Sequence, residues 1–341
     1  MKKIFIALLC AGAAISCAKE VVVTADQEAI TFENAFVNNA TKAQDDYTIN
    51  KSNLGTFNVW GTTQRPDVEE IVPIFAEVAV SSTDNGATWT YAATSTQYWI
   101  PGNAYVFAAV KNYESVGLVD GVPATIVYDA ATQKDLLYDG ATATGQVAGS
   151  NNAVAFTFEH LLSKAYFSVH NDMSDANPLY SYRISNIAIN NAVKKATYHV
   201  DGEEWKEAVA YYSTDDPLGF GNVNGFEDAE VVEAVKIPAR THEYTSHYSR
   251  LLIPATYNDL NITCTIETLY GDNVIDVENY YRNIDFTFLK GHSYNFIFRL
   301  KEPGDEIQFS VVDVNGWNTD HNNDNIYEDD EMLPYMDNQR P

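Results

Sequence analysis

The sequence predicts an all-β chain of two sandwich domains, on three observations. Short apolar runs, many of them alternating, recur along the chain: "PIFAEVAV", "AYVFAAV", "AVAFTF", "KAYFSV", "YRISNIAI", "NITCTIETLY", "SYNFIFRL" and "EIQFSVVDV" among them. Period-2 alternation places every second side chain on one face of a strand, and Gly, Pro, Asn and Asp clusters break the runs where turns are needed. No window sustains a 3.6-residue apolar period over the length of a helix. Finally, about 325 residues follow the export signal described below, more than one core of ordinary size accommodates. Apolar residues at 45% and 22 tyrosines supply enough side chains for two cores.

From the start of the chain, Lys2 and Lys3 form a basic n-region, and Ile4 to Ile15 is apolar. That run is too short to cross the ~30 Å hydrocarbon layer as a helix and has the length of a signal peptide. It ends Ala14-Ile15-Ser16-Cys17, which resembles a bacterial lipobox, with alanine where leucine is usual. The resemblance implies a signal over 1–16 and a lipid on Cys17, which becomes the first mature residue. Cys10 leaves with the signal, so Cys264 is the one free thiol and no internal disulfide can form. Cys264 sits in an alternating run and is expected to be a small core residue.

"PIFAEVAV", "STDNG" and "ATWTYAA" read as strand, turn and strand, because Asn85-Gly86 supplies the positive φ of a tight hairpin. "RLLIPA", "NVIDVENYY" and "IDFTF" are further strands, while "TQKDLLYDG" and "HLLSK" are each long enough for a single helical turn. The Gly-, Ala- and Thr-rich stretch 139–152 is the best boundary. The expected domains are 17–150 and 151–318, followed by an acidic tail over 319–341.

The formal net charge of −26 argues against nucleic-acid and anionic-membrane partners. No catalytic site stands out. His160 in "FEHLLSK" has no sequence-adjacent nucleophile, and a structural hydrogen bond is expected of it. His242 and His247 in "THEYTSH" lie five apart, so on a helix they would diverge by about 140° and cannot share a zinc as an H-E-x-x-H pair does. "GFGNVNGF" (219–226) lacks the lysine of a phosphate loop and reads as a surface loop. In the tail, Asp320, Asn322, Asp324 and Glu331 fall at positions one, three, five and twelve of a calcium loop, with Asn325 in place of the usual glycine. A Ca²⁺ loop and a solvated acidic tail both fit that segment, and the tail is the default; no other cofactor is expected.

Several segments together resemble the fimbrillin family. They are "ITFENAF" and "TKA" near the start, "FNVWG", "TWTYAATSTQYWIPGNAYVFAAV", "KDLLYDG", "VAFTFEHLLSKAYFSV", "LLIP", "FLKGHSYNFIFRL" and "VNGWN", in family order over about residues 28 to 318. The resemblance implies two tandem transthyretin-like Greek-key β-sandwiches and a non-enzymatic subunit or adhesin of a cell-surface fimbria. It also implies export as an outer-membrane lipoprotein, proteolytic loss of the first strand (28–37), and polymerisation by strand complementation with other fimbrial subunits. Host or bacterial surface ligands would be further partners. Trypsin-like cleavage beyond the strand has two candidates, Lys42 and Arg65; Pro66 disfavours the latter. The donor strand would be 307–314 or the tail. Lys19 and Glu20 partly match the charged stretch associated with surface display. The alternative from composition is a surface glycan-binding lipoprotein using exposed aromatic rings.

Overall fold

The computed structural model describes residues 27–37, 49, 52–173, 179–221, 237–238, 241–245, 249–301, 308–314, 332–333 and 337–338. Among these no α-helix occurs, and the strands form four sheets. The first sheet runs β1 (Phe32–Val37), β8 (Val154–His160), β7 (Leu137–Thr144), β4 (Ala104–Lys111), β2 (Thr56–Gln64) and β3 (Ile71–Ser81). The second runs β12 (Glu204–Tyr211), β11 (Val193–His199), β6 (Val122–Asp129) and β5 (Ser115–Val119). The third runs β15 (Thr241–Thr245), β9 (Ser163–Asn171), β19 (Ser293–Leu300), β20 (Gln308–Val314) and β21 (Met332–Leu333), with β16 (Arg250–Leu252) also on β9. The fourth runs β13 (Leu218–Gly221), β10 (Tyr180–Ile189), β17 (Thr256–Tyr270), β18 (Asn273–Thr287) and β22 (Asp337–Asn338), with β14 (Ile237–Pro238) on β10.

Alternation does what the sequence predicts in β8, where Val154, Phe156, Phe158 and His160 point inward and Ala155, Thr157 and Glu159 outward. It also holds in β17, where Ile262, Cys264 and Ile266 are buried between half-buried Asn261, Thr263 and Thr265. Burial pushes the Cys264 thiol up, away from reactivity. In β9 every side chain is buried: Ala165, Phe167 and Val169 enter the core, while Lys164, Ser168 and His170 form a buried polar face on which the Ser168 hydroxyl donates to Asn295 Oδ1.

Two cores result. One gathers Phe32, Phe57, Phe75, Phe107, Phe156 and Phe158 with Trp89 and Trp99 in the N-terminal sandwich. The other fills the C-terminal sandwich around Phe167, Phe296, Phe298 and Ile262, and extends to Ile126 and Tyr128 of the second sheet and Trp60 and Val110 of the first. Strand β2 therefore serves both cores, Phe57 and Val59 on one and Trp60 on the other. Its Gly61 is required for close packing: a Cβ there would stand 2.8 Å from Phe107 and 3.0 Å from Phe75.

Three expectations changed. Asn85 and Gly86 do adopt positive φ, 57° and 80°. The second strand of that hairpin, however, reduces to a single bridge between Ser81 and Thr90. The Asp84 carboxylate holds the loop open by accepting hydrogen bonds from the Thr88 amide and hydroxyl and from Ser82, which draw its pKa down to about 2. A single 3₁₀ turn over Ala130–Thr132 reaches the start of "TQKDLLYDG", whose later residues enter β7, whereas "HLLSK" forms no helical turn and runs from β8 into β9. "GFG" belongs to strand β13 rather than to a loop.

The two sandwiches meet where the chain passes from β8 of the first sheet to β9 of the third through only Leu161 and Leu162. The His160 Nδ1 lies 2.8 Å from Oδ2 of Asp135, with both side chains almost fully buried. Burial pushes the Asp135 carboxyl up, while the His160 imidazole, the Ile49 amide and the Lys164 charge pull the other way. Leu161 N–H donates to Leu136 O, Trp205 Nε1–H to Leu161 O, Gly291 N–H to Leu162 O, and the Ser163 hydroxyl to Leu289 O. Thus "KDLLYDG", "FEHLLSK" and "FLKGHSYNF", distant in sequence, converge on one joint. Beside it, β6 and β11 pair antiparallel from Asp129↔Lys195 to Thr125↔His199, so strands from either side of the crossing share one sheet.

Two outcomes test this packing by urea denaturation. His160→Ala strands a buried carboxylate and should cost about 3–5 kcal/mol, with Asp135→Asn costing less; a His160→Ala loss below 1 kcal/mol would remove the pair from its structural role. Gly61→Ala overfills the Phe75–Phe107 contact and should cost about 1–3 kcal/mol.

Candidate functional site

Strand β1 sits on the edge of the first sheet and pairs with β8 in parallel, Phe32 opposite Val154 and Val37 opposite Phe158, with an irregularity between Glu33 and Phe36. Its apolar side chains Ile30, Phe32, Ala35 and Val37 are buried. Phe32 is the centre of an aromatic group, with ring centroids 5.6 Å from Phe75, 5.6 Å from Tyr91, 6.4 Å from Phe107 and 5.9 Å from Phe156. Full burial of such a ring contributes about 1.5–3 kcal/mol, so this strand closes the N-terminal core.

The segment before β1 is also tied down. Ile30 N–H donates to Gln97 O and Trp99 N–H to Glu28 O, both in antiparallel fashion, and the Tyr91 hydroxyl donates to Ile30 O. The Glu28 carboxylate accepts from the amides of Gly149 and Asn151 and from Asn151 Nδ2, which hold its pKa below the usual carboxylate range. Without 28–37, the edge of β8 would show unpaired backbone groups above a slot lined by Phe57, Phe75, Phe107 and Phe156.

At the other end of the chain, β20 is woven into its own sandwich, with seven consecutive partners on β19 from Ser293↔Val314 to Arg299↔Gln308. Four residues of the tail are described, and they make two short pairings. Met332 and Leu333 pair with Ser310 and Phe309, and Asp337 and Asn338 pair with Tyr281 and Tyr280. These short pairings place tail backbone on the edges of both sheets of the C-terminal sandwich.

Of the residues singled out in the sequence, Arg65 lies in the exposed turn between β2 and β3, where its carbonyl accepts from Val68 N–H. A cut there would detach β2, a central strand, together with β1. Cys17, Lys42, and Asp320, Asn322, Asp324 and Glu331 lie outside the described residues. Among the described residues no group of three or more His, Cys, Asp and Glu side chains is placed to hold a metal ion.

Against known proteins, the model of the fimbrillin-like family matches residues 26–317. No curated protein matches the chain. Among solved structures, a fimbrial protein of Bacteroides vulgatus superposes with a TM-score of 0.60 at 16% identity, covering 86% of this chain and 100% of its own. Candidate cell adhesion proteins of Bacteroides uniformis and Bacteroides ovatus give TM-scores of 0.51 and 0.52 at 16% and 14% identity, each covering 86% of this chain and 99% of its own. At these identities the structures speak to the fold alone. The family match spans both sandwiches, from the segment that leads into β1 to the residues just past β20, and on that ground the chain belongs to the fimbrillin-like family.

Proposed function

We propose that the protein is a structural subunit or adhesin of a cell-surface fimbria, exported as an outer-membrane lipoprotein through Cys17 and assembled by donor-strand exchange. The observation that carries this reading is β1: an edge strand that supplies the central ring of the N-terminal core, followed by the segment containing Lys42. Cleavage after Lys42 frees 28–37 from the rest of the chain. The strand's contacts with β8, Gln97, Trp99 and Asn151 oppose its loss, so it leaves when another strand replaces it, as in β-augmentation by a second copy of the chain. The C-terminal tail is the donor that supports this best, because its described residues are joined by two short pairings, whereas release of 308–314 would open the C-terminal core at Phe309. Lys42 supports maturation better than Arg65, since its cleavage spares β2.

Mass spectrometry with N-terminal sequencing of protein recovered from the native surface tests the reading. Chains starting at Ala43 in high-mass assemblies are the expected result. An acylated Cys17 on chains that remain monomeric would overturn polymerisation by this route. Lys42→Ala should leave the lipidated precursor unassembled, and deletion of 332–341 should yield cleaved chains that cannot donate a strand. Phe32→Ala should lower the stability of the uncleaved precursor by about 3–5 kcal/mol, the range for emptying a buried ring site, and leave the assembled mature chain unaffected.

A further inference from the structure

The outer face of the fourth sheet holds an open recess of about 920 Å³ between β10, β17, β18 and the residues that follow β12. Its floor is made of amides and hydroxyls in cross-strand rows. Asn190 Nδ2 donates to Asn261 Oδ1 at 2.6 Å and to Thr263 Oγ1, and Asn261 Nδ2 donates to Asn283 Oδ1. In the next row Asn186 Nδ2 donates to Thr265 Oγ1, which in turn donates to Asn279 Oδ1 at 2.9 Å. Asn186 occupies a bulge in β10 with φ at 53°, a position that asparagine tolerates and that turns its amide into the row.

These bonds orient the amides and leave one end open on Asn186, Asn279 and Asn283. Among the described residues, Asn186 Oδ1, the Nδ2 groups of Asn279 and Asn283 and the Tyr281 hydroxyl have no protein partner. Asp259 is the only charged residue in the lining, although the chain carries 47 acidic residues. On neighbouring strand positions Lys194 is paired with Asp216 and Arg183 with Glu267. Tyr281 stands half-buried between the two rows, opposite Thr263, and Tyr212 forms a wall.

We propose that this recess is a binding site for a neutral oligosaccharide. Amides carry donors and acceptors together, as sugar hydroxyls do, so fixed amides with one free end match a polyhydroxylated ligand. The tyrosine rings offer an apolar surface to the C–H faces of a pyranose. A lining without cations offers nothing to a sialylated or sulfated glycan. The volume falls within the ~300–1,000 Å³ of small-molecule sites. The proposal rests on no part of the polymerisation reading.

The test is a printed array of neutral and acidic oligosaccharides probed with the full mature chain, followed by calorimetric titration of the best neutral hit. Asn279→Ala and Tyr281→Ala should each weaken binding by about tenfold or more, the effect of losing one good contact. Tyr270→Ala, outside the recess, should leave it unchanged, and far-ultraviolet circular dichroism melts should show all three variants folded. A neutral glycan that shifts the amide resonances of Asn261, Asn279 and Asn283 would locate the ligand without any substitution. Absence of neutral-glycan binding, exclusive binding of acidic glycans, or binding indifferent to Asn279 and Tyr281 would each overturn the proposal.

Discussion

The buried contact between Asp135 and His160 is the constraint on which the arrangement of this molecule turns. Burying two polar side chains is costly unless each satisfies the other, and their geometry must then be kept. Here they sit where the backbone changes sandwich within two residues, so the pair fixes the angle at which β9 leaves β8. The backbone groups of that crossing are met by Leu136, Trp205 and Gly291, and the Ser163 hydroxyl by Leu289 O. The Ile49 amide also reaches the Asp135 carboxylate, which connects the joint to the chain that leads out of the first strand.

Set against that joint, the two ends of the chain are built differently. The first strand is packed as core, with Phe32 in an aromatic group and Glu28 fixed by three hydrogen bonds, yet it is an edge strand on a parallel pairing. Among its described residues the tail pairs with two sheet edges, over two residues each. Strand exchange as proposed above would empty the slot at one end and draw its strand from the other.

Much of this was legible in the residues. "VAFTFEH" alternates without a fault and is β8; "NITCTIETLY" placed Cys264 in the core. The hairpins β5–β6 and β11–β12 were not recognised, although Asp120-Gly121 joins the first, with φ values of 50° and 82°, and Asp201-Gly202 lies in the second. Their outward positions carry valines and alanines on exposed edges, as in "SVGLV" and "EWKEAVAY", which blurs the alternation. The partner of His160 could not be read from sequence, because nothing local marks Asp135 among 47 acids; only the fold brings them together. The amide rows were invisible for the same reason, being made by the registers of three strands. That the first strand is removed is implied only by the family resemblance, since "ITFENAF" by composition is an ordinary β-segment.

The sheet that joins β6 to β11 has a mechanical meaning. A filament subunit is loaded in tension, and its lifetime under load is set by an activated rupture rate rather than by equilibrium stability. In a chain of two globules on a hinge, force would first straighten the hinge and then pull each globule separately. Here five register pairs, from Asp129↔Lys195 to Thr125↔His199, lie across the division, and a core cluster runs beneath them from Trp60 to Phe167. Pulling the halves apart must break that ladder and open that core together, so the subunit yields as one stiff link rather than as two beads.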